Sequence, residues 1–398
     1  MGSLIVQKYG GMCLATPEKV KGVAAKVADC HRKGHSLIVI VSAMGKTTDD
    51  LVRLAYQVSP EPSRRELDML LTTGERISMS LLSMVLRDLG VEAISLTGSQ
   101  AGVMTDGSHS NAKIIDVRPT RLKDELARGK VIVLAGFQGV DPVTKEITTL
   151  GRGGSDTTAV AIAATCGAES CEIIKEVDGL CSADPKLVAN TKVYPEIQRD
   201  SLLEMCFWGA KILHYRSVEL AHAMNVNLSL RFSNDHKRGT EIRSEVNMFE
   251  NKKVLAVNSH HEVHHFEVPG VASMNDGLER FAAALRGPQL PQPQILATAY
   301  DNGSLRAMYT SDAEHLTAIK RAIEASGSVR VHRPPLSSVT LTCHGSVASD
   351  LNQKIVQALS LAGINTEKLV QSPLSITVII ATNERERAIQ VLHQAFIN

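Results

Sequence analysis

The sequence predicts an α/β fold: a mostly parallel sheet sandwiched by helices, followed by two smaller α+β units. Three observations carry this. Short runs such as Ser36–Ser42 (SLIVIVS) and Val131–Ala135 (VIVLA) are apolar throughout, as strands covered on both faces are. Stretches with apolar residues at helical spacing lie between such runs, and strand–helix alternation yields a parallel sheet. Beyond residue 233 the alternation recurs on a smaller scale.

Taken in order, Leu4–Lys8 (LIVQK) is the first strand. Thr16-Pro17 supplies an N-cap and a proline at the first helical position, and Val20, Val23, Ala24 and Val27 follow at helical spacing. Ser36–Ser42 is the second strand, and a long helical region is expected from about Arg64 to Asp88. Glu92–Leu96, Val131–Ala135 and Glu172–Lys175 read as further strands, with an Ala-rich helix, Ala159–Ala164, ahead of the last. The polar turn Ser233-Asn234-Asp235 and the following His236-Lys237-Arg238-Gly239 mark a change of composition. Three parts result: 1–245, 246–335 and 336–398. The middle part opens as a strand at Lys252. A helix around Asp276–Arg286 follows, then strands near Ile295–Tyr300 and Ser304–Tyr309. Its second helix is opened by the capping box Ser311-Asp312-Ala313-Glu314. The last part has strands at Val339–Cys343 and Leu374–Ala381. Its helices are marked by Leu351, Ile355, Leu359 and Ala362, and by Glu384–Phe396. A weak βαββαβ repeat after a larger part points to a regulatory or assembly module.

Composition narrows the function. Lys+Arg number 43 and Asp+Glu 42, and aromatic residues are 4%. Neither a basic surface for nucleic acid nor a base-stacking platform is expected. No apolar stretch reaches the roughly 18 to 20 residues of a membrane span. The N-terminus lacks the basic start and cleavage site of a signal peptide. Seven cysteines without CxxC spacing read as free thiols in a reducing compartment, which places the chain in the cytoplasm.

The motifs gather at strand ends. Lys8-Tyr9-Gly10-Gly11 ends the first strand, where open α/β sheets bind ligands. Its glycines let the backbone approach an anion, and Lys8 supplies a point charge for a phosphoryl group. Gly151-Arg152-Gly153-Gly154-Ser155-Asp156-Thr157-Thr158 opens a helix, presenting free N–H groups at its positive end. Arg152 suits a carboxylate, and the GxxxxGK[ST] spacing of a P-loop is missing. Ser42-Ala43-Met44-Gly45-Lys46-Thr47-Thr48 follows another strand, its hydroxyls suited to a small polar ligand. Gly74-Glu75-Arg76 lies in the long helix, with a solvated face as its default reading. Gly136-Phe137-Gln138-Gly139 reads as a loop shaping the same cleft. His260-His261 and His264-His265 read as a solvated strand edge rather than a metal site, because alternate strand residues face opposite ways.

Together these motifs resemble the aspartokinases of the amino-acid kinase family, the actinobacterial type above all. The matching residues are Val6–Gly11, Ser42–Gly45, Gly74–Ser78, Leu96–Gly102, Gly136–Val140 and Thr148–Thr158, with Val177–Gly179, Ala183–Pro185 and Gly209–Leu213 completing the set. The resemblance implies an amino-acid kinase fold followed by tandem ACT-like domains. It implies phosphorylation of the β-carboxylate of L-aspartate with ATP and Mg2+, and a homo-oligomer assembled through the ACT domains. Lys8 and Asp156 take the catalytic positions. Ser42, Thr47, Glu75, Arg152 and Ser155 take the aspartate positions. Lys8, Tyr9, Gly10, Gly11, Lys175, Glu176, Cys181, Asp184, Lys186 and Lys211 fall where the family binds ATP. No resident metal site is implied.

Departures from the family accompany the match. Met12-Cys13 replaces two hydroxyl residues, Lys175-Glu176 stands for Thr/Ser-Asp, Cys181 for Tyr and Lys186 for Arg. The ACT helices are preceded by Val271-Ala272-Ser273-Met274-Asn275 and Ser346-Val347-Ala348-Ser349. Neither stretch reads Pro-Gly-Val/Glu-Ala-Ala, so feedback by lysine or threonine is expected to be lost. Two alternatives stand beside this reading. One is a related amino-acid kinase with another carboxylate acceptor; the other is a weakly active paralogue that regulates a partner.

Overall fold

Each apolar run expected as a strand becomes one, and its flanking residues show why. In the computed structural model, β1 (Leu4–Tyr9) leads to α1 (Pro17–Arg32). Thr16 caps α1 by accepting a hydrogen bond from the Lys19 N–H at 3.3 Å. Burial of Val20, Val23 and Val27 on α1 contributes about 1.5–3 kcal/mol per side chain. The structure describes residues 2–236, 238–244, 253–286, 290, 293–311, 313–327 and 329–397. They divide into two compact units. The first draws on Met1–Leu180, Val193–Cys206 and Ile212–Asn247, the second on Cys181–Lys192, Phe207–Lys211 and Met248–Asn398.

The first unit continues with β2 (Ser36–Val41), α2 (Thr47–Val58), α3 (Arg64–Leu71), α4 (Thr73–Asp88) and β3 (Ala93–Leu96). Next come β4 (Val103–Thr105), β5 (Ile114–Val117), α5 (Thr120–Ala127), β6 (Val131–Ala135), β7 (Gln138–Val140) and β8 (Ile147–Thr149). Then follow α6 (Gly154–Cys166), β9 (Ser170–Lys175), β10 (Leu180–Cys181), β11 (Val193–Tyr194) and β12 (Glu196–Gln198). It closes with α7 (Arg199–Phe207), α8 (Tyr215–Ala223), β13 (Leu228–Phe232) and β14 (Gly239–Arg243). Eight strands form the main sheet in the order β12-β14-β13-β9-β1-β2-β6-β3. From β13 to β3 every pairing is parallel, and Lys8 sits opposite Ile40 on β2 and Ile173 on β9. Helices α1 and α4 bury one face, through Val23, Val27, Leu82 and Leu86. Helix α6, buried from Gly154 to Ala163, packs on β1, β2 and β9.

One expectation is refined here and one corrected. The helical region over 64–88 is two helices, parted at Thr72. The hydroxyls of Thr72 and Thr73 donate back to the carbonyls of Met69 and Leu70, which competes with the helical ladder. Gln138 Nε2 donates to the Thr72 carbonyl at 3.2 Å. The segment Gly136–Gly139 is not a loop throughout, since Gln138–Val140 forms β7 in a second, four-stranded sheet ordered β5-β4-β7-β8. Strands of three or four residues are too short for periodicity to reveal.

The second unit contains β15 (Lys253–Pro269), α9 (Met274–Arg286), β16 (Gln294–Asp301), β17 (Ser304–Thr310) and α10 (Ala313–Ala325). It ends with β18 (Arg330–His344), α11 (Leu351–Leu361), β19 (Lys368–Gln371), β20 (Ser375–Ala381) and α12 (Arg385–Phe396). One antiparallel sheet runs through all of it, in the order β16-β17-β15-β18-β20-β19. Phe266, Phe281, Tyr309, Ile319 and Ile323 form one core, and Ile355, Leu359, Val378, Ile389 and Leu392 another. The expected boundary at 335/336 falls inside β18. The boundary at 245/246, the strand start at Lys252 and Asp312 of the capping box lie outside the described residues.

The histidine reading is also corrected. Strand β15 is flanked by β17 and β18, so it is interior rather than an edge. His264 is buried at 2% exposure and stacks on Tyr309 with centroids 5.5 Å apart. Register shifts between His260 and Val263, and between Val263 and His265, break the two-residue alternation on which the edge reading relied. Among the described residues no group of three or more His, Cys, Asp or Glu forms a metal site, and no helix is long and apolar enough to cross a membrane.

The Pro-Gly pair expected to be missing before the first ACT helix is present. Pro269 ends β15, and Gly270 follows at φ +63°, a left-handed value that glycine adopts without strain. The Val271 N–H then donates to the Gly303 carbonyl at 2.9 Å. Helix α9 starts only at Met274, so Pro269-Gly270-Val271-Ala272 forms the turn upstream of the stretch where it was sought.

Candidate active site

The carboxyl ends of the central strands are tied together by their own backbone. The Gly10 N–H donates to the Ile174 carbonyl (3.1 Å), Ser42 N–H to Tyr9 (3.2 Å), Gly45 N–H to Gly11 (2.9 Å) and Gly136 N–H to Val41 (3.0 Å). These bonds gather the loops after β1, β2, β6 and β9 around the place where β1 and β9 run side by side. A ligand crevice is expected at such a point.

Three charged side chains meet there. Lys8, 5% exposed, places Nζ 2.6 Å from Oδ1 of Asp156 in the first turn of α6. Lys175, at the end of β9, places Nζ 3.3 Å from Oδ2 of the same carboxylate and donates to the Ile212 carbonyl. Burial opposes ionisation of Asp156, but Lys175 and Lys8 outweigh it and hold the carboxyl down at about 2. Burial, with the charge of Lys8, pushes the Lys175 amine below its usual value. One carboxylate between two ammonium groups leaves a net positive charge at the strand ends.

A second group lies on the α2, α4 and α6 side. Glu75 is 3% exposed. Its Oε1 accepts from the Ala43 N–H at 3.0 Å, while Oε2 is buried without a hydrogen-bond partner. Burial raises the Glu75 carboxyl to about 7, which corrects the solvated-face reading of this residue. Ser42 is half-buried. Thr47 opens α2 and donates its hydroxyl to the Met44 carbonyl at 2.6 Å. Ser155 is buried beside Asp156. Arg152 stands exposed on the turn before α6. Gly153 precedes that helix at φ +71°, and a Cβ there would lie 2.1 Å from Cβ of His214. Any other residue at 153 would meet both strain and a clash.

The remaining expected residues are placed differently. Tyr9 is fully buried in the core under α1, its hydroxyl donating to Gln7 Oε1 at 3.3 Å, so only its backbone lies near the crevice. Glu176 pairs with Lys19 at 2.5 Å on the surface. Cys181, Asp184, Lys186 and Lys211 belong to the second unit, where Asp184 Oδ1 accepts from the Lys186 N–H at 3.0 Å. Sequence reasoning missed Asp68, His214 and Arg216. The available signal for Asp68 was a carboxylate on the inward side of an amphipathic helix.

Comparison with known proteins fits this geometry. Residues 3–231 match the amino acid kinase family, and residues 348–396 match an ACT domain. An aspartokinase of Mycolicibacterium smegmatis is 40% identical over 414 residues, covering 99% of this chain and 96% of that protein. The chain belongs to the aspartokinases. It is thus an enzyme, an ATP-dependent kinase with aspartate as acceptor. An aspartokinase of Geobacillus stearothermophilus is 37% identical over 395 residues, covering 99% of this chain and 97% of its own. The fold is shared with Escherichia coli aspartokinase III, solved with aspartate and ADP. The TM-score is 0.83 at 20% identity, covering 99% of this chain and 100% of that one.

Proposed function

We propose that the γ-phosphoryl group of ATP passes to the β-carboxylate of L-aspartate against the Lys8–Asp156–Lys175 cluster. The observation that carries this reading is the pair of lysines held on the two oxygens of one buried carboxylate. The acceptor carboxylate is ionised near neutral pH, so no general base is required. Its oxygen forms the new bond to phosphorus, the bond from phosphorus to the bridging oxygen breaks, and ADP leaves with the electron pair. Catalysis then rests on positioning and on neutralising charge on the transferred group. Lys8 supplies that charge, and Asp156 aims the lysines.

On the acceptor side, Arg152 grips the α-carboxylate, Glu75 receives the ammonium group at Oε2, and Ser42, Thr47 and Ser155 line the remainder. Gly10, Gly11 and the Tyr9 backbone approach the phosphates together with Lys175. The nucleotide roles of Glu176, Cys181, Asp184, Lys186 and Lys211 rest on the family resemblance. The divalent cation, Mg2+, is read as arriving on the nucleotide. Both Asp156 oxygens are engaged by lysines. The C-terminal unit is read as an ACT-type module that joins copies of the chain. The ACT-domain match over residues 348–396 supports that reading. All seven cysteines are free thiols, which supports a cytoplasmic location.

Two results are expected. In a coupled ADP-release assay across an amino-acid panel, aspartate is the preferred acceptor. Arg152→Lys raises the aspartate KM by about tenfold or more, because an ammonium cannot reproduce the bidentate fork. A preference for another acceptor, or an unchanged KM, sinks the assignment. Aspartate binding also depends on pH through Glu75. Its carboxyl, raised to about 7 without ligand, must ionise to receive an ammonium group. Affinity for aspartate then rises with pH up to about 7, roughly tenfold per unit, and levels off above. For the ligand-free fold the sign is opposite: the stability favouring the neutral carboxyl is complete below about 4.5 and lost as pH rises through about 7. Calorimetric titration of aspartate at several pH values tests this. A flat profile, or an unaltered profile in Glu75→Gln, removes Glu75 from the ammonium site.

A further inference from the structure

Two charged side chains outside the proposed catalytic cluster, one fully buried and one half-buried, spend their hydrogen bonds on two loop segments. Asp68 on α3 is fully buried. It accepts from the Ser110 N–H at 3.1 Å and from the Thr149 hydroxyl at 2.5 Å, and His109 Nδ1 lies 2.8 Å away. Arg216 on α8 is oriented toward the same two segments. Its Nη1 donates to Asn111 Oδ1 at 3.1 Å and to the Leu150 carbonyl at 2.7 Å, and Nη2 donates to the Ala112 carbonyl at 2.9 Å. The segments are also joined directly, the Ala112 N–H donating to the Thr149 carbonyl at 2.9 Å.

The turn Gly151-Arg152-Gly153 begins at the next residue. Its far side rests on His214, two residues before Arg216. Two helices remote in sequence thereby fasten the segment that leads into the Arg152 turn. A buried charge such as Asp68 contributes little net stability compared with an apolar residue of similar volume. What such contacts fix is geometry, since a guanidinium or carboxylate held by several hydrogen bonds restricts the arrangement of its partners.

We infer that Asp68 and Arg216 are positioning residues for the aspartate site, acting through the 109–112 and 149–150 segments to set the Arg152 turn. The inference rests on reading Arg152 as the carboxylate ligand. It assigns the two residues to acceptor binding and not to nucleotide binding, because none of the bonds above reaches the loops after β1 or β9.

The test is steady-state kinetics with both substrates varied, on Arg216→Ala, Arg216→Lys, Asn111→Ala and Asp68→Asn, with Arg152→Lys as the reference. Arg216→Ala should raise the aspartate KM by about 10- to 100-fold, as displacing a positioning group by an ångström does. Arg216→Lys and Asn111→Ala should fall between it and wild type, with the ATP KM within about twofold throughout. Asn111→Ala removes one of the three Arg216 bonds and leaves both charged side chains in place, so it decides the matter where Arg216→Ala does not fold. A parallel rise of both Michaelis constants overturns the inference. So does an unmoved aspartate KM in Arg216→Lys and Asn111→Ala while Arg152→Lys raises it, and the acceptor assignment then survives. An unmoved aspartate KM in Arg152→Lys overturns the acceptor assignment, and this inference with it.

Discussion

Lys8→Ala should lower kcat by about 100- to 1000-fold, the cost of removing one preorganised charge from a transition state. Its position explains the size of the effect. Lys8 lies near the end of the central strand, is 5% exposed and meets Asp156 at 2.6 Å. Its ammonium is therefore oriented before substrate arrives, with little reorganisation left for the reaction to supply. The fold should survive, because Lys175 remains on the other oxygen of Asp156 and the buried carboxylate keeps a counter-charge. The aspartate KM should stay close to wild type, since the charge matters most in the transition state. The longer, planar guanidinium of Lys8→Arg fits poorly in so closed a site and should restore only part of the rate. Turnover of Lys8→Ala within about threefold of wild type, in the coupled ADP-release assay on protein with native circular dichroism, would refute the role.

Much of this arrangement is legible in the sequence. Lys8 and Asp156 stand in motifs whose residue types already state their chemistry, a lysine at the end of a buried strand and an acid at a glycine-rich helix start. The doubly apolar runs mark strands that β1, β2 and β6 became. Legibility failed where the cause was non-local. Glu75 reads as an ordinary carboxylate on a helix, and only the Ala43 N–H and the surrounding burial show that it points inward. The Asp68 and Arg216 contacts join residues dozens of positions apart, which no periodicity encodes. The histidines of β15 misled because bulges shift their register. The small sheet was missed because its strands are too short to show alternation. The helix break at Thr72 was missed because two hydroxyls competing for carbonyls leave the apolar pattern across it intact.

Asp156→Asn should damage stability and turnover together, and this separates its role from that of Lys8. The wild-type carboxylate compensates two cations, Lys8 at 2.6 Å and Lys175 at 3.3 Å. The amide keeps the shape but removes the charge, leaving two ammonium groups facing each other in a buried site. Removing one partner of a buried ion pair typically costs about 3–5 kcal/mol. Because Asp156 titrates at about 2 in the fold, below its usual range, its stabilisation is complete above about 4 and fades as pH falls through about 2. The gap between wild type and variant should therefore be constant from about pH 5 to 7, apart from other titrations. Chemical denaturation at two pH values in that range measures it. Adding Lys175→Met to Asp156→Asn removes one uncompensated cation. The double variant should be more stable than Asp156→Asn alone by about 1 kcal/mol or more, a coupling typical of groups in direct contact. It should stay inactive, because Lys8 still lacks the carboxylate that aims it. A double variant no more stable than Asp156→Asn would show that the two lysines do not share this carboxylate in solution, and the charge arrangement argued for the site would fall.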